Sequence, residues 1–106
     1  MFVARKGRGA TLNGQPIRVS DTKHLINALI VTGFPTDRAQ KAHRIDTNFP
    51  YFEEILMSAR DCRRNGSAAL DLCYVACGRH ELFWEMGLKA WDISAGRCLF
   101  FNSIFV

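Results

Sequence analysis

Apolar and polar positions divide the chain into short strand-like stretches that alternate with helical ones. Asn13-Gly14 breaks the segment from Ala10 to Val19 into a hairpin, because a type I′ turn needs φ > 0 at both central residues. Gln15 to Val19 reads as the short return strand, with Pro16 tolerated at an edge. Ser20 or Asp21 stands where it can cap a short helix over Lys23 to Asn27. Ala28 to Thr32 is an unbroken apolar run ended by Gly33-Phe34-Pro35, the pattern of a strand buried on both faces. Phe49, Phe52, Ile55, Leu56 and Ala59 recur at steps of three and four, which predicts a helix ending near Arg60 with Pro50 in its first turn. Arg63 to Ser67 is a polar loop that closes on a capping serine. Ala68 to Cys77 is apolar on nearly every side except at Asp71, so it predicts a helix buried all round and stopped by Gly78. Leu82 to Met86 is a strand ended by Gly87, and Trp91-Asp92 opens a last helix through Ile93, Ala95 and Leu99. The order β-β-α-β-α-α-β-α predicts an α/β layered fold.

Composition narrows the classes. The chain has 106 residues and 12.0 kDa, enough for one modest core. Hydrophobic residues make up 48% and a further 8 are glycine, a share above the ~45–50% usual for a globular domain. So apolar a short chain predicts exposed surface that something else normally covers. The net charge of +4 is too mild for a nucleic-acid binder. Arg60, Arg63 and Arg64 have no interleaved aromatic platform, so they read as a solvated loop and no nucleic-acid partner is expected. No stretch reaches the ~18 apolar residues of a membrane span. Arg5, Lys6 and Arg8 follow the first apolar residues too soon for a signal peptide, so a cytoplasmic location without membrane contact is expected. Cys62, Cys73, Cys77 and Cys98 show no zinc spacing and read as buried free thiols.

Two carboxylates and one turn carry candidate chemistry. Asp92 stands at a helix start, where free N–H groups and the helix dipole favour a carboxylate. Spacing alone favours a plain N-cap there, while a hard oxygen on a rigid element also suits Mg²⁺. Glu85, at the end of its strand, either emerges into a cleft or is an ordinary surface carboxylate. Gly66, Ser67 and Ala68 offer backbone N–H groups at a helix N-terminus, a site for an anion or hydroxyl as well as a cap. His80 reads as a surface histidine, and Asp71 as the partner of a buried donor.

The segment from Gly66-Ser67-Ala68-Ala69-Leu70-Asp71-Leu72, through Trp84-Glu85-Met86-Gly87-Leu88, to Trp91-Asp92-Ile93-Ser94-Ala95-Gly96 resembles the inositol monophosphatase family, the metal-dependent, lithium-sensitive phosphomonoesterases. Gly9-Ala10, Asn13-Gly14, Val19-Ser20 and Thr32-Gly33-Phe34-Pro35 extend the resemblance upstream, so that it covers about Arg8 to Leu99. It implies the family's layered α/β sandwich, here the C-terminal half, over residues 1–99, with 100–106 a divergent apolar tail prone to β aggregation. It assigns Asp92 to the metal, and Glu85 with Gly66, Ser67 and Ala68 to the substrate.

The resemblance also implies what such a half lacks: a metal-binding glutamate, an Asp-Pro-x-Asp-Gly motif and a water-activating threonine. Metal-assisted phosphoester hydrolysis needs its ions to orient water and clamp the phosphoryl group. A single aspartate holds Mg²⁺ weakly or not at all. The implied whole enzyme, a homodimer, hydrolyses a small phosphate monoester, an inositol monophosphate, with Mg²⁺. Sugar bisphosphate, histidinol phosphate and nucleotide bisphosphate are the alternative substrates, and a non-catalytic interaction module is the alternative class. The chain alone is expected to be inactive and to self-associate.

Overall fold

The computed structural model describes residues 1–35 and 38–104. Three antiparallel strands, β1 (Phe2–Ala4), β2 (Ala10–Leu12) and β3 (Gln15–Pro16), form a small sheet in that order. Asn13 and Gly14 join β2 to β3 with φ of 49° and 81°, the left-handed pair that the Asn-Gly turn demands. The return strand stops at Pro16, which lacks the N–H to extend the ladder, and does not reach Val19. A single 3-10 turn over Leu25–Asn27 replaces the expected capped helix; His24 precedes it without a side-chain cap.

β4 (Leu29–Gly33) is the centre of a second, parallel sheet in the order β5-β4-β6, with β5 at Asp61–Arg63 and β6 at Leu82–Glu85. Ile30, Val31 and Thr32 of β4 are fully buried, as the apolar run predicted. α1 (Arg38–Ser58) connects β4 to β5 and packs Ile55, with the following Ala59, against Ala28, Ile30, Cys62 and Trp84. α2 (Ala68–Ala76) and α3 (Ala90–Ile104) lie along one another between the two sheets, with Cys73, Ala76 and Leu99 packed on Ala10, Phe2, Ala4 and Ile17. Gly96 lets α3 approach α2 closely, since a Cβ there would stand 2.7 Å from Leu72 Cβ. The result is a layered α/β fold of mixed parallel and antiparallel sheets.

Several expectations need correction. α1 begins well before Phe49, so Pro50 lies inside the helix, on its exposed side, where one lost backbone donor costs least. Its inner stripe includes Asn48, held by the Trp84 indole at 2.6 Å, while Phe49 and Leu56 are exposed. α2 is not buried all round, because Ala69 and Leu70 are exposed. Cys98 is exposed and Cys62 and Cys77 are half-buried, leaving Cys73 as the one buried thiol among the described residues. Residues 100–104 continue α3 as helix instead of forming a β-prone tail, and 105–106 lie outside the described residues. No described helix is long and apolar enough to cross a membrane.

The surface is large for the mass. The chain exposes 7329 Å² where a self-contained monomer of this size exposes about 6,000 Å². Its radius of gyration is 14.4 Å, against about 13 Å for a compact domain of this length. The excess includes Phe49, Tyr51, Met57, Trp91 and Phe101, all at least 47% exposed. Apolar surface of that extent predicts self-association at micromolar concentrations. Sedimentation velocity on the purified chain is expected to show dimers or larger species together with binding of an apolar dye. A monodisperse monomer that binds no dye contradicts this expectation.

Candidate active-site cleft

The parallel pairing of β4 with β6 sets Gly33 opposite Glu85 at the carboxyl ends of the two strands. The same edge of the sheet receives the N-termini of α2 and α3. Open parallel sheets place their crevices at this edge, and here a cleft of about 430 Å³ opens between Phe34, Pro35, the 66–69 turn, Glu85 to Lys89, and Asp92. All five candidate residues line it: Asp92, Glu85, Gly66, Ser67 and Ala68.

Glu85 folds over Gly33. A Cβ added to Gly33 would lie 2.2 Å from the Glu85 carboxyl carbon, so only glycine leaves the carboxylate its seat. Burial raises the Glu85 pKa above the ordinary carboxylate value, and the negative charges of Asp71 and Asp92 raise it further, against the pull of Arg64. Thr32, the residue before Gly33, is fully buried and donates its hydroxyl to the Trp84 carbonyl at 2.8 Å, which fixes the two strand ends together.

Asp92 is not the N-cap. It stands in the first turn of α3, and its Oδ2 accepts the Lys89 backbone N–H at 2.8 Å, as the acidic residue of a capping box does. One carboxylate oxygen is thereby anchored to the helix start. Ser67 is the N-cap of α2, accepting from the Leu70 N–H at 3.5 Å, and Gly66 before it takes φ = 90°. The N–H groups of Ala68 and Ala69 open the helix toward the cleft without an intrahelical acceptor.

His80 is buried, only 8% exposed, contrary to the surface expectation. It packs edge-on against Tyr74 with ring centroids 5.7 Å apart. Asp71 is 1% exposed and accepts from Asn65 Nδ2 at 2.8 Å, so the donor it meets belongs to an exposed residue and not to the buried one expected. Gly33, Phe34 and Lys89 were not singled out from sequence as parts of the cleft. The Thr32-Gly33-Phe34-Pro35 motif was the available signal for the first two. Arg64 lies with its guanidinium 5.9 Å from the Phe34 ring centroid, at the cleft's rim.

The inositol monophosphatase family profile matches residues 1–100. The chain belongs to the inositol monophosphatase family. It is 46% identical over 96 residues to the inositol-1-monophosphatase of a Synechocystis strain, covering 91% of this chain and 32% of that protein. It is 46% identical over 98 residues to the Nus factor SuhB of Pseudomonas aeruginosa, covering 92% of this chain and 36% of the relative. The inositol monophosphatase structure from Anabaena (Nostoc) superimposes with a TM-score of 0.88 at 43% identity, over 96% of this chain and 39% of that one. The chain thus spans about a third of the length of the curated relatives it matches.

The family is a metal-dependent one. Asp92 suits a single hard-oxygen ligand, but the described residues contain no group of three or more His, Cys, Asp or Glu side chains able to hold an ion. The donor set among the described residues does not complete a cation site.

The seating of Glu85 predicts a pH signature. With its pKa raised on folding, its contribution is present while the group is protonated and is lost as pH rises from the ordinary value near 4.5 through the folded value. Glu85→Gln is therefore expected to raise the melting temperature, more at pH 8 than at pH 4, because a neutral amide escapes the burial cost. Gly33→Ala is expected to displace only the flexible end of Glu85 into solvent and so, like Glu85→Gln, to remove the burial cost that the parent carries at pH 8. Thermal melts of the three proteins at the two pH values check this; an equal shift at both contradicts the assignment.

Proposed function

We propose that this chain forms the substrate-facing wall of a Mg²⁺-dependent phosphomonoesterase site, with an inositol monophosphate as substrate. The observation that supports it is the convergence of Asp92, Glu85 and the 66–68 turn on one cleft in a chain of this family. Asp92, with Oδ2 anchored by the Lys89 N–H, presents its other oxygen as one ligand of a cation whose remaining ligands lie outside the described residues. Glu85, seated on Gly33, accepts hydrogen bonds from polyol hydroxyls. The free N–H groups at the start of α2 bind a substrate oxygen.

Sugar bisphosphates, histidinol phosphate and nucleotide bisphosphates present the same phosphate ester on other frames, and Glu85 is the residue placed to discriminate among them. A second reading gives the chain the Nus-factor role named for the Pseudomonas aeruginosa relative, which the 46% identity supports equally.

The test is a chimera in which residues 1–100 replace the matched region of the Synechocystis inositol-1-monophosphatase. We expect Mg²⁺-dependent phosphate release from inositol monophosphate by the chimera and none by the isolated chain. Asp92→Asn keeps the size and the capping contact but loses the charge, and is expected to lower kcat/KM about 10²-fold or more. Glu85→Gln is expected to raise KM and blur selectivity among polyol phosphates with little effect on the Mg²⁺ requirement. A folded chimera without turnover favours the Nus-factor reading, and unchanged Mg²⁺ dependence in Asp92→Asn removes the ligand assignment.

A further inference from the structure

Asp71 and His80 are buried polar side chains outside the cleft, and one exposed residue joins them. Asn65, in the turn just before Gly66, donates from Nδ2 to Asp71 Oδ1 at 2.8 Å and stands 3.3 Å from His80 Nε2. An amide nitrogen is a donor only, so the second contact needs a bare Nε2 and puts the ring proton on Nδ1. That Nδ1 is buried and has no hydrogen-bond partner among the described residues. The neutral ring therefore bears the cost of an unmet donor in order to keep Nε2 turned toward Asn65.

We infer that Asn65 is a positioning residue for the cleft: its amide clamps the turn carrying Gly66 and Ser67 to Asp71 and His80, and the clamp holds only while the His80 ring is neutral. A protonated ring would point an N–H at the N–H of Asn65. Two donors cannot share that contact. Either the amide turns over, withdrawing its donor from Asp71, or the turn moves away, and both outcomes release the cleft wall. The functional weight of the clamp rests on the cleft reading above, whereas its existence does not.

The surroundings favour the neutral ring. Burial holds the His80 pKa below the ordinary imidazole value, and Arg63 from β5 and the adjacent Arg79 act in the same direction. Asp71 from α2 and the neighbouring Glu81 oppose them. Because the folded pKa is lowered, the clamp's contribution is complete above the ordinary pKa of about 6.5 and is lost as pH falls from there toward the folded value. Release thus accompanies mild acidification.

Hydrogen–deuterium exchange of the full chain between about pH 5 and 8, corrected for intrinsic rates, reads the clamp in peptides covering 63–70. Protection there is expected to be constant at the upper end and to fall about threefold or more as His80 takes up its proton. Asn65→Ala, at an exposed position, is expected to lower protection at pH 8 and to remove the step. His80→Gln keeps an acceptor facing Asn65 and cannot titrate, so it is expected to retain protection at every pH. A plain packing role would lower protection without changing the step. Absence of the step in the parent chain, or its persistence in Asn65→Ala, overturns the inference, and Asn65→Ala decides the matter if His80→Gln fails to fold. An inactive chimera would leave this step in place, so failure of the cleft reading and failure of the clamp are told apart.

Discussion

β4 is hydrogen-bonded in parallel to strands on both sides, and this pairing fixes where everything else can stand. Parallel strands bring their carboxyl ends to one edge of a sheet, and the helices that follow or enter there begin at the same edge. Gly33, Glu85, the start of α2 and the start of α3 are consequently neighbours although they span residues 33 to 92 of the chain. The register Gly33↔Glu85 then sets a carboxylate on a glycine, a contact that no other residue at position 33 leaves room for.

Carboxylates in the cleft and behind it oppose one another in the folded chain. Glu85 is half-buried beside the charges of Asp71 and Asp92, and its pKa rises for that reason. Asp71 is itself buried, with its pKa raised by burial and restrained by the Asn65 hydrogen bond. Helix N-termini offset part of this repulsion, since their free N–H groups favour negative charge. Carboxylates held together against their own repulsion support the binding reading proposed above.

Sequence reading reached the central elements because their signals are local. The Asn13-Gly14 turn, the β4 run, the Ser67 cap with its helix and the glycine stop at Gly78 each need only a few neighbouring residues to specify them. β5 escaped because Asp-Cys-Arg at a sheet edge has neither apolar character nor a readable period, and it becomes a strand only by pairing with β4. The buried faces of α1 and the burial of His80 escaped because both depend on partners distant in sequence, Trp84 for Asn48 and Asn65 for His80. The five candidate residues came from motifs; their meeting in one cleft and the seat on Gly33 are tertiary facts, whereas the capping-box contact of Asp92 is local but depends on where α3 begins.

On the proposed function, Asp92 contributes an inward-facing metal ligand to a site that other residues complete. Anomalous diffraction from crystals of the chimera described above, soaked in Mn²⁺ as a hard-cation substitute, tests it most directly. The expected result is a Mn²⁺ peak at direct coordination distance, about 2.1 Å, from the Asp92 carboxylate, in the cleft it shares with Glu85 and the 66–68 turn. Mn²⁺ bound elsewhere in the cleft, with Asp92 engaged only with the Lys89 N–H, would contradict it.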